Sequence, residues 1–260
     1  MRAGLKLLAG AYALAIYGFI FLPVAVLVLY SFQATLFPIP PFTGPSLRWY
    51  EAVLADRRLM AGLINSVMVA VLSSAVAVVL GFLAAYGFAR FRLPAHTLLR
   101  AIITAPLMVS YLIIGMGLLI MFNAAGVAKS LVSAGIGHAV INLPLCFAII
   151  YSQMGDHHLY AERAARDLGA RQWQVLVLIT APMLWPALFA SFFLAMTFSW
   201  DEFVMAFLLT RFDTTLPVEI WNLLRSGLNP KTNAVGSLVF GVSILLVLVI
   251  ELVLFRPPRR

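Results

Sequence analysis

Long apolar runs alternate with short polar islands along this chain. Six runs, at about 9–32, 61–88, 101–122, 133–153, 183–209 and 233–255, each reach the roughly 20 residues that cross about 30 Å of hydrocarbon as a helix. They are too long for strands, so the pattern predicts an all-α membrane protein with six transmembrane helices in one domain spanning residues 1–260. Arg2 and Lys6 precede the first run, but it continues apolar past the length of a secretory signal and lacks a small-residue cleavage site, so it reads as a retained helix.

Polar residues inside the runs refine the picture. Asn65, Ser66, Ser73 and Ser74 accompany alanines and glycines in the second run, a composition for close helix packing and interhelical hydrogen bonds. Pro106 with Gly115 and Gly117 lets the third run bend, as helices lining transport routes do, and Tyr111 there is weighed between the pathway and core packing. His138, Asn142 and Pro144 mark the fourth. Among the islands, Pro38, Pro40, Pro41 and Pro45 rule out a long helix after the first run. Trp49, Tyr50, Val53 and Leu54 then predict an amphipathic helix at the outer interface, with Trp49 and Tyr50 in the headgroup belt or against an outside partner.

The longest charged island, within YAERAARDLGARQWQVLVLITAPMLWPA from Tyr160, predicts two short helices joined at Gly169. In the first, Glu162 is spaced to pair with Arg166 and Arg163 with Asp167. In the second, Trp173, Leu176, Val177 and Ile179 form an apolar face before Pro182. Such a knob suits docking by another protein.

Composition excludes a water-soluble domain: 63% of the 260 residues are hydrophobic, 11% are charged, and mean hydropathy is +0.99. With both termini cytoplasmic, Arg2, Lys6, Arg90, Arg92, Arg100, Arg163, Arg166, Arg171, Arg256, Arg259 and Arg260 lie inside. Arg48, Arg57, Arg58, Lys129, Arg211, Arg225 and Lys231 then lie outside, so 11 of the 18 basic residues are cytoplasmic, as the positive-inside rule favours. The net charge of +8 is spread over loops rather than one face, which argues against nucleic-acid binding.

Chemistry-bearing residues are few. Asp201 and Glu202 lie in or beside the fifth run, where a carboxylate normally faces a bundle interior or a wet cavity, and Trp200 beside them can offer its ring to an ammonium group. On a regular helix the two acids point about 100° apart. Cys146 has no partner for a disulfide or metal site, and His157, His158 and Glu162 lack metalloprotease spacing. Neither Lys129-Ser130 nor Lys231-Thr232 follows the glycine of a phosphate-binding loop, so any ATP-driven motor is another polypeptide. An intramembrane enzyme would need His138 with Ser110 or Ser133, a poor pairing, and an ion-coupled secondary transporter remains a rival.

The run ERAARDLGARQWQVLVLITAP resembles the cytoplasmic coupling loop of bacterial ABC importer permeases, which reads Glu-Ala-Ala, three residues, Gly, nine residues, Ile-x-Leu-Pro. Ala164, Ala165, Gly169, Ile179 and Pro182 fall at those spacings, whereas Arg163 stands in the glutamate's place, with Glu162 before it, and Ala181 replaces the leucine. With TFSWDEFVMAFLLT and LPVEIWNLLRSGLNPKTNAVGS, the whole chain resembles the spermidine/putrescine (PotC-like) permease family. The resemblance implies a type I importer fold in a bacterial inner membrane, a coupling loop at about 155–182, a second permease subunit, two ATPase subunits carrying ATP and Mg, and a periplasmic binding protein. It implies ATPase contact through Glu162, Arg163, Ala164, Ala165, Asp167, Gly169 and Ala170 and a polyamine as cargo, for which the residues themselves suggest a path past Trp200, Asp201, Glu202 and Tyr111. Another small organic solute, such as an amino acid, opine or quaternary amine, stays open.

Overall fold

The computed structural model describes residues 2–227 and 229–254; Arg256, Arg259 and Arg260, Phe255 at the end of the sixth run, and Leu228 lie outside them. The described residues are helical, with one isolated bridge between Gln33 and Pro45. In chain order the helices are α1 (Arg2–Ser31), α2 (Arg48–Leu54), α3 (Arg57–Arg90), α4 (His96–Thr104), α5 (Tyr111–Ala124), α6 (Leu131–Gln153) and α7 (Asp156–Asp167). There follow α8 (Gln172–Gln174), α9 (Ala181–Met183), α10 (Trp185–Trp200), α11 (Val204–Leu209), α12 (Leu216–Arg225) and α13 (Pro230–Leu254). Four segments among them are long and apolar enough to cross a membrane singly, and two bent pairs bring the number to six.

The two bent pairs fall at the run of 101–122, where Pro106 lets the helix bend, and at the run expected at 183–209. The first is α4, a 3₁₀ turn at Ala105–Leu107 and α5, bent by 105°. Pro106 lacks the N–H that would continue α4, so the chain leaves the α ladder there. In the second, residues Gln172–Met183 meet α10 at 75°. The backbone turns at Leu184 (φ −94°, ψ 8°), and Pro186 falls in the first turn of α10, where a missing N–H is tolerated. α10 then stops at Trp200, and three residues separate it from α11.

Two compact units divide the chain. Unit 1 comprises residues 1–60 and 219–245. Its polar centre is Gln33, 1% exposed, whose amide nitrogen donates to Thr35 Oγ1 (3.0 Å), Pro41 O (3.2 Å) and Ile39 O (3.4 Å) while its carbonyl accepts from Thr43 N (3.2 Å). The proline-rich turn is thus wrapped around one saturated amide. Trp49 is buried, and Tyr50 beside it is half-buried. The Trp49 indole N–H donates to Gln33 O at 2.7 Å, and the Tyr50 hydroxyl lies 2.7 Å from Ser31 Oγ and donates to Ser237 Oγ at 3.1 Å. Each ring has a polar tip that a covered site must satisfy, and the backbone and the serines of α1 and α13 do so.

Lys231, at the start of α13, donates to the Asp56 carboxylate and holds it below its ordinary value of 3.8. A depressed acid stabilises the folded chain above its unfolded value, and the contribution is lost as pH falls through the folded one. Thermal unfolding scans from pH 7 to pH 3 are expected to show an acid-side loss of stability that shrinks in Lys231→Met.

Unit 2 comprises, among the described residues, 61–218 with 246–254. A stripe of small residues on α3, Ala77, Gly81 and Ala85, faces α6. A Cβ on Gly81 would stand 2.9 Å from Cys146 Cβ and 2.9 Å from the Phe147 backbone nitrogen, so the two backbones meet there. Phe82, Phe88, Phe147, Ile150 and Leu184 complete that core. A second core joins α5, α6 and α11, with Met205 Sδ 3.3 Å from the space a Cβ would take at both Gly115 and Gly137. Between the ends, Ser73 of α3, Ser199 of α10 and His138 of α6 form a buried polar clasp, Ser199 Oγ lying 3.0 Å from Ser73 Oγ and 2.6 Å from His138 Nδ1. His138 therefore pairs with Ser199, not with Ser110 or Ser133.

Candidate functional site

The charged island folds against the last turns of α3. Tyr86 and Arg90, four residues apart, share one face of that helix, and both point at the island. Arg90 grips the Glu162 carboxylate with two N–H donors, Nε to Oε2 at 2.8 Å and Nη2 to Oε1 at 3.1 Å. The carboxylate is wholly covered, the guanidinium is 7% exposed, and the Thr180 hydroxyl donates to Oε1 at 3.0 Å. The Tyr86 hydroxyl accepts from Arg166 Nη2 at 3.2 Å and from Gln172 Nε2 at 2.6 Å. α7, the start of α8 and the segment before α9 are therefore fastened to α3 by charge-assisted bonds out of water, where such bonds are strongest.

Helix spacing within the island accounts for only part of this. Glu162 lies 3.8 Å from Arg166, but its closer partner is Arg90, and no ion pair joins Arg163 to Asp167. Arg90, counted above among the cytoplasmic basic residues, is the last residue of α3 and is held inward. Val175 and Thr180 are the fully buried members of the second half, and Trp173 and Val177 are 59% and 54% exposed. The expected apolar face is shifted because Val175–Thr180 is a π-helix, whose wider turn rotates each later side chain.

At the other end of α7 the chain reverses in a left-handed cap. Gly169, at φ +89°, donates from its N–H to Arg166 O at 2.8 Å, and Ala170 N–H to Ala165 O at 3.0 Å, the paired bonds of a Schellman motif. Arg163, Ala164, Asp167 and Gly169 are exposed, Ala165 and Ala170 are half-buried, and Leu168 at the tip is 90% exposed. No atom would lie within 4 Å of a Cβ on Gly169, so only the positive φ opposes a side chain there. Gly169→Val is expected to cost about 1–2 kcal/mol and to leave the protein folded while displacing the tip. Thermal unfolding in detergent should show one cooperative transition, shifted only slightly from that of the wild type.

The acids of the fifth run sit where that helix breaks. Trp200 closes α10 and is 3% exposed, so its ring is covered by this chain in this conformation. Asp201 is exposed, its backbone N–H donates to Ser199 O, and its carboxylate has no hydrogen-bond or ion-pair partner among the described residues. Glu202, 9% exposed, accepts from Met205 N–H at 3.1 Å and so caps the first turn of α11. The 100° relation of a regular helix does not apply, because residues 201–203 are not helical. Tyr111 opens α5 and packs half-buried against the α5–α6–α11 core.

Sequence reasoning missed Tyr86, Arg90, Gln172 and Thr180. The available signal was a tyrosine and an arginine four apart in the last turns of an apolar run, facing an island that contains a lone glutamate.

Apolar spans and a charged knob fastened to the end of α3 thus make up the described chain. The chain belongs to the family of binding-protein-dependent transport system inner membrane components, whose family model matches residues 77–256. It is 32% identical over 231 residues to the putrescine transport system permease protein PotI of Escherichia coli (strain K12), covering 86% of this chain and 82% of that protein. It is 26% identical over 249 residues to the spermidine/putrescine transport system permease protein PotC of the same organism, covering 95% and 94%. Its fold is that of a bacterial ABC transporter involved in the import of the acidic polysaccharide alginate, at a TM-score of 0.70, 18% identity and coverage of 99% of this chain and 96% of that one.

Proposed function

We propose that this chain is a permease subunit that carries a polyamine, spermidine or putrescine, across the inner membrane with both of its termini in the cytoplasm. A second permease subunit completes the path, a periplasmic binding protein delivers the cargo, and two ATPase subunits holding ATP and Mg drive it. Similarity to two polyamine permeases along most of the chain carries this reading.

The geometry of unit 2 supplies the chemistry. At the break after Trp200 the carbonyl end of α10, the negative end of its dipole, coincides with the unpartnered Asp201 carboxylate. A broken helix that presents backbone carbonyls and an acid suits a passing ammonium group. Glu202, engaged in capping α11, holds the shape of the break. ATPase closure would move the knob, and Arg90 and Tyr86 would pass that motion to α3 as a rigid-body shift.

The test is ATP-driven uptake of labelled spermidine and putrescine by proteoliposomes containing the full complex. Asp201→Asn is expected to lower uptake about tenfold, the factor matched by one interaction of about 1.4 kcal/mol. A permease protein of a sulfoquinovosyl glycerol transport system in Agrobacterium fabrum (strain C58 / ATCC 33970) is 29% identical over 175 residues, so a glycoside is the competing cargo. Uptake of a neutral or anionic glycoside with none of either polyamine rejects the proposal.

A further inference from the structure

Unit 2 contains a cavity of about 970 Å³ at the N-terminal end of α6, opposite the end that leads to the knob. α6 has 23 residues, so the two ends lie about 34 Å apart. Phe122 and Asn123 of α5, Lys129 and Ser133, and Arg211 and Phe212 line the cavity. Their placement is fixed by backbone bonds: Ser130 N–H donates to Leu209 O at 3.0 Å, and Val127 N–H to Phe122 O at 2.8 Å. The Ser133 hydroxyl donates to Ala128 O at 2.9 Å, pinning the chain on the other side of Lys129.

Charge in this cavity is of one sign. No acid lines it, and neither Lys129 nor Arg211 belongs to an ion pair among the described residues. The Arg211 guanidinium rests over the Phe212 ring at 4.8 Å, and Asp213, two residues on, is exposed and outside the lining. The first turn of α6 adds the positive end of its dipole. Such a wall repels a cationic cargo and attracts an anion. It is therefore a poor stretch of any polyamine route.

We propose that this cavity is a carboxylate socket: an acidic side chain on the docking face of the binding protein enters it and is received by Lys129 and Arg211. The proposal rests on the reading above, which places this end of α6 outside, and on membership of a binding-protein-dependent family. Charge complementarity selects the occupant, since the cavity is large enough for a side chain and offers two unspent cations to it.

The experiment measures ATPase activity of the reconstituted full complex against binding-protein concentration. Lys129→Glu/Arg211→Glu is expected to raise the half-saturating concentration about tenfold, as reversing two interfacial charges does, with ATPase activity in the absence of binding protein unchanged. Added salt should weaken wild-type stimulation and not that of the variant. The milder Lys129→Ser/Arg211→Ser, which retains the fold if the reversal does not, should give a smaller shift in the same direction. An unchanged half-saturating concentration in both variants overturns the socket, as does a shift that follows anionic lipid content instead of binding protein. Lys129→Cys should react with a membrane-impermeant maleimide from the outside. Reaction from the inside alone overturns the orientation and the socket with it, whereas outside reaction with unchanged half-saturation overturns the socket only.

Discussion

Arg90→Ala is expected to destabilise the protein by about 3–5 kcal/mol, because it leaves the wholly buried Glu162 carboxylate without its two-point partner. Thr180 and the more distant Arg166 remain, and neither supplies the lost pair of donors. Chemical unfolding in detergent should show the loss, and ATP-driven uptake should fall further than stability, since the knob is no longer fastened to α3. The diagnostic comparison is Arg90→Met/Glu162→Met. Replacing a buried ion pair by apolar side chains of similar volume is often neutral, so stability should return to within about 1 kcal/mol of wild type. Uptake should not return with it if the charged clasp transmits motion; recovery of both would reduce the pair to packing.

Gly81→Leu carries the second large effect. A Cβ at this position already meets the Phe147 backbone nitrogen at 2.9 Å, and a backbone cannot swing aside as a side-chain end can. The rest of a leucine would force α3 and α6 apart, at about 3 kcal/mol or more. Gly87, six residues on, has nothing within 4 Å, so Gly87→Ala should be neutral or stabilise by up to about 1 kcal/mol through helix propensity. Thermal unfolding of the two variants side by side separates close approach from propensity. Equal effects would show that the backbones do not meet at Gly81.

What could be read from the chain alone follows from the range of each interaction. Helix class and the six apolar runs depend on local composition, and so did the knob, whose Gly169 turn needs only a residue free to adopt positive φ. The breaks at Leu184 and at residues 201–203 were harder, because apolarity persists across them while the backbone changes course. Partners were harder still. Arg90 and Glu162 are separated by 72 residues, and the positive-inside rule explains an arginine there well enough to conceal its second role. Trp49 and Tyr50 show the same limit: their amphipathic spacing suits a membrane interface, but Gln33 O, Ser31 and Ser237 supply the polar partners that interface water would otherwise provide.

That the knob around Gly169 receives the ATPase is tested most directly by cross-linking. Leu168→Cys places a thiol on the exposed tip, while the native Cys146 is buried and unreactive by comparison. In inside-out vesicles holding the full complex, a short bifunctional reagent should join position 168 to the ATPase subunit, with a yield that changes when ATP is bound. Labelling of that thiol only from the outer face, or ATP-driven uptake that persists with the ATPase subunits removed, would contradict the account.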